Sequence, residues 1–346
     1  MAQNIAAGDL QETTGAAALR QLADDVLQVD DNASADADSA YNESIGTASY
    51  VSSLTSSIRN YKHENGRRYH AYHEGSYVLP NDDEEQDRMD LLNHIYRLLT
   101  GGDLHLAPIG PNPQRVLDLG TGTGIWAIQF ADQYPSAQVI GTDLSPIQPQ
   151  WVPPNCTFEI DDYEQKWLYT KPFDYIHGRE LNGFVADYDR LFSQAFKHLK
   201  SGGYLEMQSA EVHLYPNEKE SEEKGKYTLM LTQYVNEAAE KFGKSFKQIH
   251  LWKEKMEKAG FVDVREVQYK LPTGRWPKDP KLKEIGKYQQ VQHIQGVDSY
   301  SFALLSRVLG WSKEEIQVFC ARVKNELKDP SVHLYSIVHF VYGKKP

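Results

Sequence analysis

Val116-Leu117-Asp118-Leu119-Gly120-Thr121-Gly122-Thr123-Gly124 is the stretch that decides how the rest of the chain reads. Its apolar half is a buried strand, and its glycine-rich half is a turn that opens straight into a helix. Gly120, Gly122 and Gly124 let the backbone bend sharply and approach a ligand where any Cβ would obstruct. The spacing is G-x-G-x-G, which departs from the G-x-G-x-x-G of dinucleotide-binding turns. Asp118 ends the strand just before the glycines. A carboxylate there suits a cationic ammonium or sulfonium group and repels a pyrophosphate. The turn therefore points to S-adenosylmethionine rather than to a nicotinamide dinucleotide.

Downstream, strands and helices alternate, the pattern of an α/β layered fold around a mainly parallel sheet. The first strand, 115–119, leads to a helix over about 124–133. Further strands follow at 138–142, 156–160, 173–176, 204–208, 261–269 and 334–342, with helices near 191–199 and 246–259 between them. In such sheets ligands sit beyond the carboxyl ends of the strands, where this chain places a succession of acids. Asp143 ends the second strand, 23 residues past Gly120, where a carboxylate can accept from both ribose hydroxyls. Leu144 follows it. Asp162 comes after the third strand, at the place for an adenine amino group. Any one of these acids also reads as a helix cap or a solvated turn. Three in succession after a glycine turn read as a nucleoside site.

The blocks VLDLGTGTG, IGTD, EIDD, FDYIHGRE and LKSGGYLEMQ resemble the class I S-adenosylmethionine-dependent methyltransferases. The flanking blocks, YHAYHEGSYVLPNDDEEQDR and the terminal FVYGKKP, look like the fungal LaeA-like family. The resemblance covers residues 55–346. It implies a Rossmann-like three-layer sandwich with a mainly parallel seven-stranded sheet whose last strand is antiparallel. It also implies an N-terminal helical lid over 59–110. The stretch over 272–330 is itself too long for a hairpin loop and has helical spacing at Ile316, Phe319, Cys320, Val323 and Leu327, so it reads as a helical insertion before the last strand that walls a substrate pocket, or as an ordinary helical flank. By this likeness Asp118, Gly120, Thr121, Gly122 and Gly124 surround the methionine part of the cofactor. Asp143 and Leu144 lie at the ribose, and Asp162 with Tyr163 at the adenine.

The chain has 346 residues with 37 Lys and Arg against 48 Asp and Glu, a formal net charge of −11. Residues 1–40 carry eight acids against Arg20 alone, so −7 of that charge sits in a tail. The rest is only mildly acidic, and neither part has the basic footprint of a nucleic-acid binder. Residues 1–58 are rich in Ala, Ser, Asp and Thr, a composition that reads as disordered. Within them Leu19, Leu22, Val26 and Leu27 form one short amphipathic patch, either a transient helix or a docking element for a protein partner. No basic leader with an apolar run and no 18-residue apolar stretch is present, so neither secretion nor membrane spanning is expected. Two distant cysteines imply no disulfide framework, and the expected setting is intracellular and cytoplasmic, with a nuclear location as the alternative.

Methyl transfer from a sulfonium is an in-line displacement, so the protein mainly aligns acceptor, methyl carbon and sulfur, and no metal is called for. A hydroxyl or protonated nitrogen acceptor benefits from a general base. His177, leaving the fourth strand, is the first candidate, and it also borders the cofactor. His213, just after the fifth strand, is the second. Either also reads as a structural histidine, and Arg179 with Glu180 read equally as an ion pair or as groups that touch substrate. The tyrosines Tyr69, Tyr72 and Tyr77 suit a lid over an adenine or a flat acceptor, with Tyr77 nearest the cofactor; they also suit an anchor for a helix. Trp126 reads as core. The leading function is methylation of an oxygen or nitrogen on a small molecule of fungal secondary metabolism. The alternatives are a LaeA-like nuclear regulator working through protein partners, and a fold whose bound cofactor assists a rearrangement or cyclisation.

Overall fold

The computed structural model describes residues 26–30, 61–64, 66–70 and 79–346. A hairpin of β1 (Lys62–Glu64) and β2 (Arg67–Tyr69) precedes helix α1 (Asp83–Leu99). Asp82 caps α1, its carboxylate accepting from the Glu85 N–H, and Gly101 and Gly102 end it in left-handed conformations. The glycine turn joins β3 (Arg115–Leu119) to α2 (Ile125–Gln133). Next come β4 (Gln138–Asp143), β5 (Cys156–Ile160), β6 (Phe173–Arg179), α3 (Tyr188–His198), β7 (Leu199–Ala210) and β8 (Tyr215–Pro216). Helices α4 (Lys219–Lys224) and α5 (Lys226–Phe242) lead through a 3-10 turn to α6 (Trp252–Lys258). The chain closes with β9 (Val262–Thr273), α7 (Pro280–Arg307), α8 (Lys313–Lys328) and β10 (Leu334–Lys344).

The sheet runs β5-β4-β3-β6-β7-β10-β9, with β8 pairing the first residues of β10. From β5 to β7 every pairing is parallel, whereas β10 is antiparallel to both of its neighbours. This is the expected Rossmann-like sheet. The chain winds outward from β3 through β4 to β5, then crosses back to β6, so the crevice beyond β3 and β6 is the switch point that binds ligands. Alternation along β3 feeds both faces: Leu117 and Leu119 pack with Phe192 and Trp252, while Val116 packs with Trp126 and Phe130 on the other side. Asp118 shares a face with Val116, and its partner across the ladder is His177.

The insertion is the helical pair α7–α8. Helix α8 carries a full capping box between Ser312 and Glu315 and buries Ile316, Phe319, Cys320, Val323 and Leu327, the periodicity visible in the sequence. Helix α7 packs against α1, α5, α8 and β9, so apolar and small residues occur all round it and no single stripe marks it. Helix α5 was not foreseen, although Leu231, Val235, Ala238 and Ala239 recur on one face and Gly243 closes it in a left-handed turn. A hairpin, not a helix, opens the 59–110 segment. Part of the tail's apolar patch also belongs to the body: Leu27 is buried beside Trp276, and Val29 bridges Pro277 in extended pairing. The remaining tail residues, with Leu19 and Leu22, lie outside the described residues. Among the described residues no helix is long and apolar enough to cross a membrane, and both cysteines are buried free thiols.

One ionic cluster is buried near the outer edge of the sheet. His339 donates or shares protons with Glu211 at 2.8 Å through Nε2 and with Glu266 at 2.6 Å through Nδ1. Burial works against the charged imidazole, but the two carboxylates hold its pKa above the usual 6.5. His339 in turn holds both glutamates below their usual 4.5. The histidine's contribution is complete below 6.5 and is lost as pH rises through its raised pKa; the glutamates' contributions are complete above 4.5 and are lost on acidification. The cluster is therefore strongest between those values. Thermal unfolding of the wild type and His339→Gln should show a gap that narrows steadily on going from about pH 6 to about pH 9. A gap independent of pH would contradict this account.

Candidate active site

Asp118 is the hub of the crevice. Its Oδ1 accepts from His177 Nδ1 at 2.7 Å and its Oδ2 from the Thr121 hydroxyl at 2.6 Å. The first bond requires the His177 proton on Nδ1, which leaves Nε2 bare; that atom is buried without a partner. Burial pushes the His177 pKa down, so the ring stays neutral. Trp126 lies flat on it, ring centres 3.7 Å apart and planes 8° from parallel. Trp126 is core, as expected, and it also fixes the orientation of a site residue.

The three glycines all have left-handed backbones, with φ of 61°, 58° and 81° at Gly120, Gly122 and Gly124. A Cβ on Gly124 would stand 2.3 Å from the Phe158 ring, and one on Gly120 2.6 Å from Leu181. Asp143 stitches the turn to the second strand, Oδ2 accepting from Gly122 N–H and Oδ1 from Ser145 N–H, each at 2.9 Å. Burial raises the Asp143 pKa to about 6 although both N–H groups oppose it. From the other side, Asp90 of α1 accepts from the Thr123 hydroxyl at 2.6 Å, so α1 docks directly on the turn.

The resulting cleft is lined by Asp118, Gly120, Thr121, Gly122, Asp143, Leu144, Tyr163 and His177, which the sequence placed at one site. Gly124 is the N-cap of α2 and stands just behind them. Asp162 does not line the cleft; its carboxylate accepts from the Glu164 N–H at 2.9 Å. His213 stands apart from His177, on the wall of a second cavity, edge-on to Tyr215. Tyr77 and Tyr72 lie outside the described residues. Tyr69 is buried in the helical cluster that includes Leu79 and Val297.

Of the two readings of Arg179 and Glu180, the ion pair is not formed: Arg179 donates to Gln208 at 2.8 Å and to Asn93 at 2.7 Å. Glu180 instead accepts from the Ala210 N–H at 3.0 Å and from the Tyr96 hydroxyl, both at Oε1. It does so from a left-handed backbone, φ 56°, a costly conformation for a residue with a side chain. Burial raises its pKa. The insertion, expected as a wall for a substrate pocket, does line a second cavity, together with the end of β7 and the unforeseen α5. That cavity adjoins the first cleft, and Leu92, Glu180 and Tyr300 belong to the walls of both. A network ties the hairpin to this region: Arg67 bonds Asp82 at 2.6 Å and Ser299 at 3.2 Å, and Ser299 donates to Glu85 at 2.7 Å.

A glycine turn between β3 and α2, acids at the ends of successive parallel strands and a final antiparallel strand define a class I S-adenosylmethionine-dependent methyltransferase. The chain belongs to the methyltransferase domain family, whose model matches residues 92–266. It is 38% identical over 304 residues to methyltransferase pytC of Aspergillus terreus, covering 88% of this chain and 94% of that protein. It is 34% identical to the secondary metabolism regulator LAE1 of Cochliobolus heterostrophus, over 82% of this chain and 94% of that one. With the secondary metabolism regulator laeA of Aspergillus fumigatus the identity is 33%, covering 82% and 76%. Among solved structures, the cyclopropane synthase MmaA2 of Mycobacterium tuberculosis matches with a TM-score of 0.43 and 18% identity, covering 77% of this chain and 99% of that one.

Proposed function

We propose that this chain transfers a methyl group from S-adenosylmethionine to a small molecule of fungal secondary metabolism. The observation that carries the reading is the second cavity, which the helical insertion helps to line and which shares Leu92, Glu180 and Tyr300 with the glycine-turn cleft. The cofactor brings the methyl group as a sulfonium, already activated. In this reading Asp118, Gly120, Gly122 and Gly124 surround its methionine part. Asp143 accepts from the ribose hydroxyls, and Leu144 and Tyr163 flank the adenine with Asp162 bracing the loop behind. His177 acts as a positioning residue that orients Asp118, and His213 faces the acceptor side. The test is incubation of the full chain with methyl-labelled cofactor and fungal metabolite extracts. A labelled small product is expected; no transfer with cofactor binding intact would overturn the reading.

The Asp143 assignment has a pH consequence. Only the carboxylate can accept from two hydroxyls, and its pKa is held near 6. Affinity for S-adenosylhomocysteine, followed by calorimetry, should fall as pH drops through about 6. Asp143→Asn should remove that dependence and bind weakly at every pH. A wild-type affinity that is flat across this range would remove Asp143 from the ribose.

The relatives named as secondary metabolism regulators favour a second reading, in which the acidic tail engages a protein partner and the protein works in the nucleus. Because Leu27 is already buried against the body, the partner would be met by Leu19 and Leu22. Deletion of residues 1–25 should abolish co-purification of such a partner while leaving cofactor affinity unchanged. A deletion strain with a full metabolite profile would sink the tail's role.

A further inference from the structure

The second cavity carries a chemical description of its occupant. Its walls are mostly apolar, with Leu231, Val235, Val297 and Val323 among them, and among the described residues no lysine or arginine lines it. Three oxygens of side chains lining it have no hydrogen-bond partner while buried: Gln289 Oε1, Gln292 Oε1 and Ser336 Oγ. Their residues are only 2%, 3% and 2% exposed. Buried polar atoms are nearly always paired, and one left unpaired is destabilising. Three such residues around one cavity mark the places where a ligand supplies the missing partners, which a hydroxyl, at once donor and acceptor, can do. The Gln289 amide is engaged at one end only, by His293 at 2.7 Å.

Glu180 is the fourth acceptor, at the boundary with the cofactor cleft. Its Oε1 takes both of its hydrogen bonds, from Tyr96 and Ala210, so among the described residues Oε2 is uncommitted. The strained backbone at this residue aims the carboxylate at the one wall that both cavities share. Arg88, which lies over Tyr300 and whose charge acts on Glu180, is bonded to Glu85 at 2.6 Å from outside the cavity; the charged groups among the described residues that line it are Glu180 and Glu211, which an anionic acceptor would confront.

We infer that the second cavity takes an uncharged, mainly apolar molecule that presents hydroxyl groups, and that Glu180 accepts the proton of the hydroxyl being methylated. The inference rests on the methyl-transfer reading above. The O–H bond breaks with its proton passing to Glu180 Oε2. An O–CH₃ bond forms as the methyl carbon's bond to sulfur breaks, the electron pair staying on sulfur. The negative charge of Glu180 and the positive charge of the sulfonium disappear together, so no net charge is left in the closed site. The raised pKa of Glu180 fits this role.

The test uses the full chain and three probes of similar size, 2-naphthol, naphthalene and 2-naphthoate, titrated by calorimetry. The expected result is that 2-naphthol binds about ten-fold or more tighter than either of the others. Equal or tighter binding of naphthoate, no advantage over naphthalene, or binding of none of the three overturns the inference. Ser336→Ala and Gln292→Leu should each raise the melting temperature of the free protein, because an unpaired buried atom is removed, while weakening 2-naphthol several-fold. A fall in both would mean the side chains are merely structural. 2-Naphthol is also a far stronger acid in its excited state, with distinct neutral and anion emission. The bound probe should emit as the anion in the wild type and as the neutral form in Glu180→Gln, whose amide oxygen still accepts from Tyr96 and Ala210. Unchanged emission would remove Glu180 as the proton acceptor. Titration with S-adenosylhomocysteine is the separate control: its failure sinks the methyltransferase reading, whereas failure of the probes alone sinks only the acceptor assignment.

Discussion

Asp118→Ala should lose roughly 3 kcal/mol of stability, and its affinity for S-adenosylhomocysteine should fall by about ten-fold or more. The substitution strips two buried donors of their acceptor, the His177 Nδ1–H and the Thr121 hydroxyl. They are not equally exposed to the loss. Both line the cleft, but Thr121 is 9% exposed and is readily rehydrated, whereas His177 is 0% exposed with Trp126 stacked on its ring. Most of the cost therefore falls on the histidine. This gives a check internal to the site: adding His177→Phe to Asp118→Ala should recover part of the stability, because phenylalanine keeps the stack on Trp126 without an orphaned donor. Cofactor affinity should not recover, since the carboxylate is still missing. Denaturant unfolding of the single and double variants, with calorimetry of S-adenosylhomocysteine, separates the two effects. If the double variant is no more stable than Asp118→Ala, the Asp118–His177 bond is not what the substitution breaks.

Gly286→Ala should be about as damaging, roughly 3 kcal/mol, for a different reason. Its Cβ would stand 2.0 Å from the carbonyl oxygen of Gly274, which is backbone and cannot swing aside. The turn after β9 lies directly on α7 here, with the Gly274 N–H donating to the Gly286 carbonyl at 3.0 Å. A methyl group must push the helix off the sheet, and Gln289, Gln292 and His293 follow in the next two turns of that helix. Binding of 2-naphthol should be lost while S-adenosylhomocysteine affinity changes little, because the glycine turn is held by β3, β4 and α1 instead. Gly310→Ala is the control: its φ is 75° but nothing lies within 4 Å, so it should cost only the left-handed strain, about 1–2 kcal/mol. Equal effects of the two substitutions on probe binding would show that α7 does not shape the cavity.

Local patterns carried most of the sheet. The strands β3 to β6 are short apolar runs that end in acids or glycines, and parallel strands buried on both faces leave that mark. Helix α8 was legible because one face is apolar and the other meets solvent. Helix α7 was legible only as a long helical stretch without a face, since it is packed on several sides at once. Asp118, Asp143, the three glycines and His177 were read at one site, and Asp162 was read as a ligand group although it bonds its own loop. Glu180 read equally as half of an ion pair and as a substrate contact, because an acid beside an arginine at a strand end fits both. In the folded chain a left-handed residue turns the two side chains to different partners.

The glycine-turn cleft was therefore determined by sequence alone. A turn that must pass close to a ligand needs glycines at fixed places, and acids recur at the ends of successive strands; both are written as residue types at short spacing. The second cavity was decided by tertiary structure. It is walled by residues from 92 to 336, drawn from α1, β7, α5, α7, α8 and β10. Its chemistry lies in which buried oxygens are left unpaired after folding. No local pattern records an unpaired atom, because pairing depends on every other segment that packs around it.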